Sequence, residues 1–134
     1  MAVLTLEVLT PERTVIRTEV EYVKLPGADG TFGVLAGHQP IMAALDIGVL
    51  EFGPLHGRRR KIALGGGFME MNANQMTVMA RTAELEEEID VLRAREAKRR
   101  AEERLNSRQA DVDLARAQIA LQKALLRLKV ANGE

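Results

Sequence analysis

The chain has no cysteine and no tryptophan, and its one serine is Ser107. Without thiols there can be no disulfides and no thiolate metal sites, which suits a reducing, intracellular setting. No apolar run approaches the roughly 18–20 residues that a membrane span needs. The first residues also lack the basic-then-apolar pattern of an export signal. A soluble chain is expected, reaching a membrane only through a partner. Net charge is missing too: nineteen basic and nineteen acidic residues cancel, so nothing draws the whole molecule toward nucleic acid or anionic lipid. Catalytic sets are equally scarce. His38 and His56 lie in turn-like segments, and a Ser-His-Asp arrangement would have to borrow Ser107 from a helical region. No His, Asp and Glu spacing resembles a metal site. Neither catalytic residues nor a metal are predicted.

What is present divides near residue 85. All four prolines, ten of the eleven glycines and the aromatics Tyr22, Phe32, Phe52 and Phe68 come before it. The first part, residues 1–84, has the period-two alternation of strands. Leu4, Leu6 and Val8 alternate with polar residues, as do Ile16, Thr18, Val20 and Tyr22, and then Met76, Val78 and Ala80. The turn clusters "PGADG", "GPLHG" and "NAN" separate such runs. Many short antiparallel strands in this length bury their apolar faces best as a β-sandwich or flattened barrel. "GGGF" at 65–68 lacks the Lys-Ser/Thr of a phosphate loop and reads as a bulge or close strand packing. "GRRRK" at 57–61 reads as a solvated hairpin tip.

Residues 85–134 are dominated by helix formers. One apolar stripe runs Leu85, Ile89, Leu92, and an alanine stripe follows at Ala94, Ala97 and Ala101, ending in Leu105. A second helix shows Leu114, Ala117, Leu121, Ala124, Leu125 and Leu128. The polar break at Asn106–Gln109 favours an antiparallel hairpin over one long helix. The predicted class is therefore α+β, an N-terminal antiparallel β-sandwich followed by a two-helix antiparallel hairpin. Alanine seams bury little area, so the hairpin is expected to be conditionally stable.

Charge on the helices carries the most suggestive pattern. Asp90 and Arg93 are three residues apart, and Arg93 and Arg100 seven apart. Arg116, Lys123 and Arg127 share one face of the second helix, and in a hairpin the two basic faces converge. Arginine forks suit phosphate oxygens, and Asp90 could accept from an exocyclic amine or hold Arg93 in place. By pattern alone, a salt-bridged solvent face accounts for the same residues. A β-sandwich adaptor with a coiled-coil arm is the rival reading from another class.

The stretches "GTFGVLAGHQPIMAAL" (30–45), "GGGFMEM" (65–71) and "EEEIDVLRAREAKRRAEERL" (86–105) resemble the epsilon subunit of bacterial F-type ATP synthases. The resemblance spans essentially the whole chain. It implies a non-catalytic central-stalk rotor subunit on the cytoplasmic face of the bacterial membrane. The implied partners are the gamma subunit, the c-ring and, when the helices extend, the alpha/beta catalytic head, where extension inhibits ATP hydrolysis. Some bacterial members bind ATP as a regulatory ligand through Ile/Leu-Asp-x-x-Arg-Ala, here Ile89, Asp90, Arg93 and Ala94. The matching flanking positions are Glu84, Arg100, Lys123 and Arg127, with lysine at 123 giving a point charge where a fork is possible. Contacts of the sandwich with its partners are expected at Asp29, Thr31, Phe32 and His38. A hairpin that only braces the stalk, independent of nucleotide, is the alternative within the family.

Overall fold

The computed structural model describes residues 2–107 and 113–133. It divides into two compact units, one ending at Glu86 and the other beginning at Glu87.

The first unit is all strand. β1 (Leu4–Leu9), β2 (Thr14–Val20), β3 (Tyr22–Gly27), β4 (Gly30–Leu35), β5 (Ile41–Gly53), β6 (Arg60–Asn72), β7 (Gln75–Ala80) and β8 (Ala83–Leu85) follow in chain order. Their hydrogen-bonded order is β2-β1-β7-β6-β5-β3-β4, with β8 also on β6. Leu4, Leu6 and Val8 point inward and meet Val20, Thr18 and Ile16 across the β1–β2 ladder. Met76, Val78 and Ala80 are buried as their alternation predicts. With Leu25, Leu50, Phe52, Ile62, Leu64, Met69 and Met71 they form one apolar core. The expected antiparallel sandwich holds with one exception: β1 and β7, far apart in sequence, pair in parallel.

Two local features shape the sheet. The long strand β6 pairs with β8 through Ile62–Leu64 and with β7 through Gly67–Asn72. Between the two stretches lie Gly65 and Gly66, and Gly67 opens the second. Gly67 has φ +149°, and a Cβ there would sit 2.1 Å from the Met79 carbonyl oxygen. The glycine run is thus close strand packing at the point where the strand changes partner. At "NAN", Ala73 and Asn74 both take positive φ, 51° and 59°, which is the two-residue turn whose twist suits a hairpin.

The second unit holds α1 (Val91–Asn106) and α2 (Leu114–Asn132), preceded by a one-turn 3-10 helix at Glu86–Glu88. Asp90 caps α1 and Asp113 caps α2, so each helix starts where a side-chain oxygen can satisfy its free N–H groups. The two helices pack on one another, and their short connection makes them an antiparallel hairpin. Of the expected break at Asn106–Gln109, Asn106 ends α1 and Ser107 is its C-cap; Arg108 and Gln109 lie outside the described residues. The buried side chains of the two helices are mostly small: Ala94 and Ala101 on α1, Ala117 and Ala124 on α2, with Leu128 and Val130 as the larger ones.

Three sequence expectations need correction. Leu85 is not the start of a helical stripe: it ends β8 opposite Ile62. Leu92 is 76% exposed, because the Asp90 cap starts the helix in a phase that buries Ala94 and turns Leu92 outward. Tyr22 does not continue the inward face of β2. The chain breaks at Glu21, and in β3 it is Val23 and Leu25 that are fully buried.

Candidate functional site

Seven of the eight expected ligand residues lie in the helical unit. The eighth, Glu84, belongs to the sandwich, half-buried in β8 opposite Ala63. Asp90 is exposed and acts as a cap: its Oδ1 accepts the backbone N–H of Arg93 at 3.0 Å. Its hold on Arg93 therefore goes through the main chain and sets where the helix begins. Arg93 and Arg100 are exposed, while Lys123 and Arg127 are half-buried. Ile89 and Ala94 are buried, at 9% and 2% exposure. Both side chains therefore pack within the protein.

The back of α1 behaves differently. Arg99 donates from Nε to Glu96 at 3.1 Å and is also paired with Glu103. The hydrogen bond from Arg99, with its charge and that of Arg100, holds the Glu96 carboxyl below its ordinary range. The same pairing raises Arg99. Arg99 is thus committed to a solvated i,i+3 and i,i+4 network, as the plain reading of this charged helix expects. Among the described residues, neither Arg93 nor Arg104 joins that network.

On the sandwich, the four expected contact residues do not form one patch. Asp29 and Thr31 are exposed at the β3–β4 turn. His38 lies beyond the other end of β4, exposed, with Nδ1 2.8 Å from the Gln39 carbonyl oxygen. Six residues of strand separate the two places, about 20 Å of extended chain. Phe32 is half-buried against the core, its ring under Gly27. The basic run 57–61 does form the β5–β6 tip, yet Arg59 is not simply solvated. Its guanidinium donates to the Leu55 carbonyl at 2.8 Å and stacks 4.2 Å from the Tyr22 ring centroid. The hollow beside it, about 290 Å³, is lined by Glu51 and Glu86 as well as Arg58, Arg59 and Lys61, a mixed charge that does not select anions.

One sandwich feature escaped the sequence reading. Ala44, Phe68 and Met79 are register partners across β5, β6 and β7, and all three are exposed, Phe68 by 60%. Met42, 78% exposed, lies one outward position along β5. Together they make an outward apolar row. The signal was available in "GGGFMEM" and "QMTVMA", where Phe68 and Met79 fall on the polar phase of their strands.

Comparison with known proteins agrees with both units. The family model described as ATP synthase, Delta/Epsilon chain, beta-sandwich domain matches residues 3–86. Its companion, the long alpha-helix domain of the same chain, matches residues 87–132. The chain is 48% identical over 133 residues to the ATP synthase epsilon chain of Symbiobacterium thermophilum, covering 98% of this chain and 95% of that one. It is 46% identical over 127 residues to the epsilon chain of Desulforamulus reducens, covering 95% and 96%. Among solved structures, a chain of the Euglena gracilis mitochondrial ATP synthase (OSCP/F1/c-ring) superposes with a TM-score of 0.79 at 25% identity, covering 98% of this chain and 82% of that chain. A chain of the Tetrahymena thermophila mitochondrial enzyme's central stalk and c-ring shares the fold, with a TM-score of 0.60 at 12% identity. The chain belongs to the ATP synthase epsilon family, and is a non-catalytic central-stalk subunit of that complex.

Proposed function

We propose that the sandwich couples the gamma subunit to the c-ring, and that the hairpin is a nucleotide-sensitive brake on ATP hydrolysis. The observation that carries this reading is the make-up of the hairpin seam. Four alanines make up most of its buried side chains, joined by Leu128 and Val130 of α2, while Leu92, Leu114 and Leu125 stay 76%, 54% and 43% exposed. Four buried methyl groups contribute about 3 kcal/mol at roughly 0.8 kcal/mol each. A seam made so largely of small side chains, with leucines in reserve, suits a second conformation that buries those leucines against other subunits.

A ligand that binds only the folded hairpin stabilises it by about 2.7 kcal/mol at a hundredfold excess over Kd. That matches the alanine contribution, so ATP held by Arg93, Arg100, Lys123 and Arg127 decides between the two shapes. When ATP is abundant the hairpin stays folded and hydrolysis is permitted. When it is scarce the arm extends into the alpha/beta head and hydrolysis stops. The outward row of Met42, Ala44, Phe68 and Met79 fits a docking face for gamma, and the Asp29–Thr31 turn fits the c-ring. No described helix is long and apolar enough to cross a membrane; the chain sits at the cytoplasmic face through its partners.

The test is hydrolysis by the reassembled complex at low and high ATP, with the full chain and with a chain ending after Glu88. That truncation keeps Leu85 in β8 and so leaves the sandwich intact. Inhibition at low ATP that disappears with the truncation supports the brake. Equal rates with both chains leave only a brace.

A further inference from the structure

The two arms of the hairpin are copies of one another. A shift of twenty-three residues lays Ile89-Asp90-Val91-Leu92-Arg93-Ala94 over Val112-Asp113-Leu114-Ala115-Arg116-Ala117. The match continues with Ala97 over Ala120, Arg100 over Lys123, Ala101 over Ala124, Arg104 over Arg127 and Leu105 over Leu128. Val112 enters by sequence alone, since 108–112 lie outside the described residues. The structure repeats with the sequence. Asp90 and Asp113 cap their helices at φ −82° and −81°, ψ 100° and 99°, and each accepts the N–H of the arginine three residues on at 3.0 Å. Ala94 and Ala117 are buried alike, as are Ala101 and Ala124.

Two copies of one helix packed antiparallel are related by an approximate twofold axis perpendicular to the plane of the pair. Such an axis carries one broad face of the hairpin onto itself. At 3.6 residues per turn, Arg93, Arg100 and Arg104 form a strip about a quarter-turn from the Ala94–Ala101 line. Arg116, Lys123 and Arg127 form the same strip on α2, and the axis places both strips on one face. No carboxylate interrupts them: α2 contains no acidic residue, and Glu96, Glu102 and Glu103 occupy other sides of α1. Among the described residues, no ion pair joins Arg93, Arg100, Arg104, Arg116 or Lys123 to a carboxylate, whereas Arg99, off the strip, is paired twice. Away from the seam and this strip the copies diverge, with Lys98, Glu102 and Glu103 matched by Leu121, Leu125 and Leu126.

We infer that the hairpin carries a second polyphosphate site, the twofold image of the one proposed above. It is built from Arg116 and Lys123 of α2 with Arg100 and Arg104 of α1, and Asp113 sets its register as Asp90 does for the first. The inference rests on the nucleotide reading of the first site. Arg100 and Lys123 lie near the middle of their arms and serve both ends. A second triphosphate therefore meets cations already neutralised and a like charge nearby, and binds more weakly than the first.

The test is calorimetric titration of the full-length chain with ATP and, in parallel, inorganic tripolyphosphate, while NMR follows the backbone amides of Ala94 and Ala117. Two unequal equivalents are expected, the tighter shifting Ala94 and the weaker shifting Ala117, with tripolyphosphate also reaching both ends. Arg104→Gln with Arg116→Gln should weaken the second event about tenfold or more and leave the first, through loss of charge-assisted bonds. Arg93→Gln should do the reverse, with helix content unchanged by circular dichroism in both. A single equivalent confined to the Ala94 end, or one weakened equally by both sets of variants, overturns the second site and leaves the first standing. No binding of either probe overturns the nucleotide reading itself, and this inference with it.

Discussion

Replacing Asp90 by asparagine, serine and alanine separates two roles that one carboxylate combines in this account. Its Oδ1 caps α1 through the Arg93 N–H at 3.0 Å. Asparagine and serine cap about as well as aspartate, whereas alanine loses about 1 kcal/mol of helix stability. If capping were the whole role, Asp90→Ala would weaken ATP binding at most about fivefold, which is what 1 kcal/mol allows. Asn and Ser would then bind as the parent does. If the carboxylate also accepts from the ligand's exocyclic amine, a charged hydrogen bond worth about 1.5–3 kcal/mol disappears in all three variants. We predict the second pattern: Asp90→Ala at least about tenfold weaker by calorimetry, with Asn and Ser also impaired while their helix content by circular dichroism matches the parent. Asp113→Ala removes the equivalent cap from α2 and calibrates the share of capping alone in the first binding event. Equal affinity for the parent and all Asp90 variants would refute the assignment, and wild-type affinity for Asn and Ser alone would reduce Asp90 to a cap.

Further predictions concern single contacts. Gly67→Ala forces a Cβ to 2.1 Å from the Met79 carbonyl oxygen at φ +149°. It should cost at least about 2 kcal/mol, read as a lower melting temperature of the sandwich with the β6–β7 amides losing protection in hydrogen exchange. Arg99→Gln removes the hydrogen bond that holds Glu96 below the ordinary carboxylate range, so an NMR titration should show the Glu96 carboxyl moving up. Because the folded value is the depressed one, the pairing helps α1 above the unfolded pKa and is lost as the pH falls through the folded one. Acidification should therefore loosen α1 in the parent and change little in Arg99→Gln. Phe68→Glu, at a position 60% exposed, should leave the fold unchanged and weaken pull-down of gamma.

Much of the sandwich was legible because its strands alternate strictly. Leu4, Leu6, Val8, Met76, Val78 and Ala80 all point where period two places them. Alternation fails where the chain changes partner or direction, as at Glu21 before Tyr22 and at Gly65–Gly67. Those are tertiary events that propensity does not record. In the hairpin, apolar content misleads: spacing alone puts Leu85 and Leu92 on one helical stripe, but a cap at Asp90 fixes the helical phase and turns Ala94 and Ala101 inward. The charged face was visible as spacing, though not the capping role of Asp90. The repeat that pairs Arg93 with Arg116 and Arg104 with Arg127 was also there to find.

The claim that most needs testing is that nucleotide decides between two shapes of the arm. Spin labels at the exposed positions Leu92 and Lys129, measured in the reassembled complex, report it directly. In the folded hairpin the labels lie within roughly 20 Å, about two helix diameters, and in one continuous helix they are about 55 Å apart. The account predicts the short distance at high ATP and a growing long-distance population as ATP is withdrawn. One unchanged distance at every ATP concentration would contradict it.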